Sequence, residues 1–229
     1  MNQYIIPFER ELKFTQAYKN NMANDKATRE YECLKEQIPQ SFRTLKHKDT
    51  DIFAGRIEEA LLGFYPIFAG NDGIDKTAYC INENKCYELI NKLEKDENCD
   101  PEYINRVKEM IEFWHNEDTV TKTRKRMPEA MIQSVTGDNY NVEIGACYPL
   151  YRIAGIHIDA KKIFRYGLNG LIELINEKAK VKPESQSLYS AMVGSLELIK
   201  DVCQLYVDDL AKLIEECTDE TRKADLVLM

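Results

Sequence analysis

Tyr151-Arg-Ile-Ala-Gly-Ile-His-Ile-Asp-Ala-Lys-Lys-Ile-Phe-Arg-Tyr-Gly-Leu-Asn-Gly-Leu-Ile172 is the stretch on which the reading of this chain turns. Its first eight residues lack the 3.6-residue spacing of a helix and read as an irregular, pocket-like loop. Asp159 stands where a helix cap belongs. From Ala160 to Glu177 the pattern is that of an amphipathic helix, interrupted by the Tyr-Gly-Leu-Asn-Gly run at Tyr166 to Gly170. Glycine there permits backbone angles that other residues avoid, so a bend is expected.

Toward the C-terminus the pattern sharpens. Leu188, Met192, Ser195, Ile199, Val202, Tyr206, Leu210 and Leu213 recur three or four residues apart, one stripe along a helix spanning Pro183 to Cys217. Thr218-Asp219 reads as a cap, with a further helix from Glu220. Toward the N-terminus, Asn116 to Leu150 shows little periodicity beyond a turn of helix at Pro128 to Val135. Gly137-Asp-Asn and Gly145-Ala-Cys-Tyr-Pro read as loop, and a loop this long usually has a task. Asp100-Pro101 is a cap followed by Pro at the first helical position, opening a helix to about His115 whose inward face is Ile104, Val107, Ile111 and Trp114. Glu83 to Lys95 is a helix with Cys86, Leu89, Ile90 and Leu93 on one side. Leu61 to Ala69 is apolar but carries Gly63 and Pro66, so it is expected to be irregular and packed. Asp51-Ile-Phe-Ala-Gly55 is extended or a turn. Lys26 to Gln37 is helical and expected to stop at Pro39, and Glu9 to Tyr18 starts another helix. No repeat or linker divides the chain.

Composition narrows the class. The 229 residues suit one large domain or two small ones, and 44% apolar content is enough for a core. A net charge of −8 argues against nucleic acid, which calls for a concentrated basic face. The densest basic run, Lys122-Thr-Arg-Lys-Arg126, is short and reads as a solvated loop. No stretch reaches the ~20 apolar residues of a membrane span, and Met1 to Arg10 lacks the features of a secretory signal. Seven cysteines in no framework spacing read as reduced thiols, which places the protein in the cytoplasm. Cys80, Cys86 and Cys99 are too unevenly spaced for zinc and have no nearby His, so no metal site is expected. Phosphate loops, nucleophile elbows and His-Glu-x-x-His are absent from the sequence.

Several segments, taken in order, resemble the glycyl radical enzymes, the pyruvate formate-lyase-like lyases and dehydratases. Glu9-Arg10 through Thr15-Gln-Ala-Tyr18 is similar to their opening Glu-Arg…Thr-Glu-(Ser/Ala)-Tyr helix. Arg29 to Ile38 and then Asp51 to Gly55 look like the next helix and the acidic-apolar-Gly segment after it. Ile111-Glu-Phe-Trp114 resembles the end of a later helix, and Asp159 to Gly170 matches the Asp…Lys-(Val/Ile)-(Leu/Phe)…Gly-Leu-x-Gly pattern. Leu188-Tyr-Ser-Ala-Met192 and Thr218-Asp-Glu-Thr-Arg-Lys-Ala-Asp225 look like two further signatures.

The resemblance implies a mainly α chain with irregular loops, the N-terminal helical portion of a glycyl-radical-enzyme α/β barrel, as a single region 1–229. It implies an anaerobic lyase or dehydratase acting on a small polar organic substrate. This chain would supply outer helices and one pocket wall, with no catalysis of its own. Family enzymes use a protein glycyl radical installed by an S-adenosylmethionine activating enzyme. That enzyme, the substrate and the remainder of the barrel are therefore the implied partners. This chain itself is expected to hold neither the thiyl cysteine loop nor the radical glycine, and so no cofactor. Cys86-Tyr-Glu88 has the bare Cys-x-Glu spacing but lies mid-helix and reads as a small core residue. Arg165-Tyr-Gly167 reads as a backbone bend.

Position 155 often carries a polar or charged side chain in family members, and here it is Gly155. His157, two residues on, faces the same side of an extended backbone and is the candidate substitute, as hydrogen-bond donor or general acid/base. A half-buried ring bonded to a backbone carbonyl is the plainer reading. Arg152 is the candidate cation for a carboxylate or phosphate, or a partner for a neighbouring acid. Gly155, His157 and Arg152 are thus the expected substrate contacts, and no residue is assigned a catalytic role. The competing class is a non-catalytic helical module that uses its apolar stripe to hold a protein partner.

Overall fold

The computed structural model describes residues 8–42, 61–63, 67–68, 75–76, 80–81, 83–97, 99–126, 128–130 and 159–229. The chain forms two compact units that interleave in sequence. One comprises Met1–Leu12 with Glu59–His157, the other Lys13–Glu58 with Ile158–Met229.

In the first unit the central element is a helix, α4 (Pro101–Glu117), reached after α1 (Glu9–Asn20), α2 (Lys26–Ser41) and α3 (Glu83–Leu93) in chain order. The Asp100 side chain accepts from the Glu102 N–H and Pro101 occupies the first turn, where its missing N–H costs nothing. Tyr103, Ile104, Val107, Met110, Ile111 and Trp114 are buried along one face, which includes all four positions expected from the periodicity. The fully buried Trp114 meets Phe113 edge-on at 5.4 Å. Cys86 and Ile90 are the buried residues of α3, and α3 packs on α4.

The described residues of Leu61 to Ala69 are more regular than expected. Strand β1 (Leu62–Gly63) pairs antiparallel with β4 (Cys80–Ile81), with Leu62 opposite Ile81. β2 (Ile67–Phe68) pairs with β3 (Asp75–Lys76). Two-residue strands are too short to show an alternating pattern, so sequence periodicity has nothing to detect. Long-range polar ties hold this unit. The Glu11 carboxylate, almost fully buried, takes the Arg10 guanidinium at 3.0 Å and the Leu61 N–H at 3.3 Å. The Phe8 N–H donates to the Tyr103 hydroxyl at 3.1 Å, and the Ile81 N–H to Asp118 Oδ2 at 3.0 Å.

The basic run is a helix, α5 (Thr119–Arg126), rather than the expected loop. Asp118 explains the restart. It ends α4, and its own carboxylate then accepts from the Thr121 N–H while its carbonyl accepts from the Lys122 N–H. Lys122 pairs with Glu117, and Lys125 reaches Asn116 Oδ1 at 3.3 Å. Glu129 and Ala130 are helical, in keeping with the turn expected there. Asp51 to Gly55 and the loops at Gly137 and Gly145 lie outside the described residues.

The second unit is helical: α2, α6 (Ala160–Val181), a 3-10 turn at Pro183–Ser185, α7 (Gln186–Glu216) and α8 (Glu220–Leu228), joined by α1 from Lys13 onward. α7 is the spine, with α2, α6 and α8 all packing on it. Val202, Tyr206, Leu210 and Leu213 from the stripe bury against Leu226 of α8, with Ile38 and Phe42 closing the side. Phe42 meets Tyr206 edge-on at 6.0 Å. Asp219 caps α8 by accepting from the Arg222 N–H, as expected.

Pro39 does not stop α2, which runs to Ser41. Proline removes one donor from the helix, but Gln40 Nε2 donates to the Glu36 carbonyl and Ser41 Oγ to the Gln37 carbonyl, each at 2.7 Å. Gln37 and Ser41 are themselves buried. Packing and side-chain bonds therefore carry the last turn through the proline.

Candidate functional site

Arg152, Gly155 and His157 lie outside the described residues. The structure describes the element that follows them. Asp159 Oδ1 accepts from the Lys162 N–H at 3.0 Å, while the Asp159 carbonyl accepts from the Ile163 N–H at 3.1 Å. A carboxylate at this end satisfies donors that the first helical turn leaves unpaired. The expected capping role of Asp159 is what the coordinates show.

Eight residues on, Gly167 has φ 61° and ψ −176°, a conformation open in practice only to glycine. A Cβ there would meet nothing within 4 Å, so the backbone angle rather than crowding demands the glycine. The bend expected from Tyr-Gly-Leu-Asn-Gly is therefore present, and Arg165-Tyr-Gly167 is a bend. Ahead of it, Ile163, Phe164 and Tyr166 are exposed on a turn and a half of helix with Lys161, Lys162 and Arg165.

On both sides of the bend, α6 forms one wall of a groove of about 810 Å³ within the second unit. α2 contributes Tyr31 and Leu34, α6 contributes Leu174, and the first half of α7 contributes Leu188, Met192 and Ile199. The stripe on α7 thus has two fates. From Val202 on it is buried core, while Leu188, Met192 and Ile199 stay substantially exposed along the groove and Ala191 and Leu198 are the buried positions. The single stripe read from the spacing is present, and its second half is the part that is buried. The Tyr31 ring of α2, which also lines the groove, lies against Gly194.

Other candidates resolve as scaffold. Cys86 is fully buried in α3 and burial pushes its thiol up to about 12, far from a thiolate at neutral pH. Cys33 in α2 is held at about 12 for the same reason. His115 is exposed, its Nδ1 3.0 Å from Glu83 Oε1. Among the described residues no His, Cys, Asp or Glu cluster could hold a metal ion, and no helix is long and apolar enough to cross a membrane. The groove was missed from sequence, although Tyr31 with Leu34 and Leu171 with Leu174 and Ile175 show the right helical spacing for two facing walls.

The family model for pyruvate formate lyase-like proteins matches residues 1–229. The chain belongs to the pyruvate formate lyase-like family. Its fold is similar to that of the glycerol-bound form of the B12-independent glycerol dehydratase from Clostridium butyricum, with a TM-score of 0.65 at 18% identity, over 95% of this chain and 27% of that one. A structure concerned with 1,2-propanediol dehydration in Roseburia inulinivorans gives a TM-score of 0.62 at 15% identity, over 95% and 27% of the two chains. A glycyl radical enzyme from Archaeoglobus fulgidus gives 0.62 at 15%, over 96% and 28%. The pyruvate formate lyase-like chain described here thus spans little more than a quarter of the length of these structures, and its mainly α fold is that of a portion of the glycyl radical enzymes. A comparison with curated proteins gives no match.

Proposed function

We propose that this chain is the N-terminal part of a cytoplasmic glycyl radical lyase or dehydratase, working without oxygen on a small polar organic substrate. It supplies helices outside the barrel and, through residues 151–158, one wall of the substrate pocket. Catalysis requires the remainder of the barrel, and the radical requires an activating enzyme. The observation that carries this reading is the Asp159-capped, Gly167-kinked helix directly after 151–158, in a chain of this family and fold. Two of the similar structures concern glycerol and 1,2-propanediol dehydration, so small polyols are the first substrates to test.

The described residues do not fit the radical chemistry itself. Cys86 is sealed inside a helix, and Gly167 is committed to a bend. What remains for this chain is recognition: His157 as donor or general acid/base beside the small Gly155, and Arg152 as a cation for an anionic group.

The test is His157→Ala in the complete, anaerobically activated enzyme. An acid or base role predicts a fall in kcat of ~100-fold or more with little change in KM or stability. Normal turnover in a destabilised enzyme would make the ring structural. The open groove favours a second reading, a non-catalytic helical module that holds a protein partner; a full-length protein that binds such a partner and shows no turnover after activation would support it.

A further inference from the structure

The apolar groove has a charge pattern of its own, and it does not depend on the pocket assigned to residues 151–158. Leu188, Met192 and Ile199 are 49%, 42% and 46% exposed along its floor, a continuation of the same stripe that is buried from Val202 onward. α2 and α6 stand on either side of this floor, leaving space of about 810 Å³. A gap bounded by three helices, with anchors at helical spacing, is the geometry that receives a fourth helix.

The walls differ in charge. Lys162 and Lys178, from the first and last parts of α6, line one side. α6 carries five basic residues against Glu173 and Glu177, in a chain whose net charge is −8. Among the described residues no carboxylate pairs with Lys161, Lys162, Arg165, Lys178 or Lys180, whereas Lys26, Lys35, Lys200 and Lys212 of the same unit all have acidic partners. Glu30, the carboxylate on the α2 wall, is engaged by Lys26 at 3.5 Å. The groove therefore offers an apolar floor and one uncompensated positive flank.

We propose that this groove docks an acidic amphipathic helix of a partner protein, apolar face down on Leu188, Met192 and Ile199, with its carboxylates toward Lys162 and Lys178. Apolar burial supplies the affinity and the lysines fix which way the helix lies.

The probe is a fluorescein-labelled peptide of about 18 residues, with leucines at i, i+3, i+4 and i+7 and glutamates along one flank. A second peptide carries lysine in place of every glutamate. Anisotropy with the full 229-residue chain should show the acidic peptide binding at least ~10-fold more tightly than the basic one, with the difference shrinking as salt rises. Lys162→Glu with Lys178→Glu changes exposed positions only, leaves the circular dichroism unchanged and should reverse the preference. Met192→Glu should weaken both peptides at least ~10-fold. Equal binding of the two peptides, no binding of either, or no reversal by the lysine swap overturns the proposal. A dimer of the chain alone that Met192→Glu converts to monomer also overturns it, since a second copy is then the occupant.

Discussion

Tyr31 and Gly194 show how one residue sets a helix crossing. A Cβ at position 194 would stand 2.3 Å from Tyr31 Cζ and 2.7 Å from its hydroxyl oxygen, closer than any real contact. Glycine in the middle of a 31-residue helix costs about 1 kcal/mol against alanine, so propensity alone favours replacing it. Packing reverses that sign. Gly194→Ala is expected to lower stability by about 1–3 kcal/mol, read from the urea midpoint. Tyr31→Ala should remove most of the penalty in the double variant, because the two side chains then no longer compete for one space. A Gly194→Ala protein as stable as wild type would show that the ring swings aside at no cost.

Among the elements, those fixed by short-range chemistry were the legible ones. Asp100, Asp159 and Asp219 were each expected to cap a helix and each accepts a backbone N–H two or three residues on. That is a local contract between one carboxylate and the next turn. The inward face of α4 was equally plain, because one face of that helix meets one core. Legibility failed where distant packing decided the outcome. Pro39 ends a helix by local rules, yet burial of its neighbours carries α2 through it. The stripe on α7 was plain from its spacing, but where its burial stops depends on how α2 and α6 are placed. Of the candidate site, the cap and the bend were readable, while Arg152, Gly155 and His157 lie outside the described residues. The bend makes a sharp prediction. Gly167→Ala forces a side chain into φ 61°, ψ −176° and should cost about 1–3 kcal/mol. Gly170→Ala meets only the Tyr166 side chain, closest at its Cβ, 3.1 Å away, with no positive φ, and should cost less. Equal effects at the two positions, measured by thermal unfolding, would argue that crowding rather than backbone angle shapes this helix.

At the scale of the molecule, each unit is assembled from two separated lengths of chain. The first boundary falls within α1, where the sequence shows no linker. A chain ended after His157 keeps α2 but loses α6, α7 and α8, the helices that complete its unit. Such a truncation should leave Ile38 and Phe42 uncovered and bind an apolar dye several-fold more strongly than the full chain. A dye-silent truncation with α2 still helical would mean that this helix needs no cover from the C-terminal segment. The pairing of α2 with α7 also sets a clock during synthesis. At roughly 5–20 residues per second on the ribosome, some ten to thirty seconds separate the appearance of Tyr31 from that of Gly194, far longer than the ~100 μs in which an unfolded chain collapses. Until α7 emerges, Ile38 and Phe42 lack the helix against which they are packed in the finished chain.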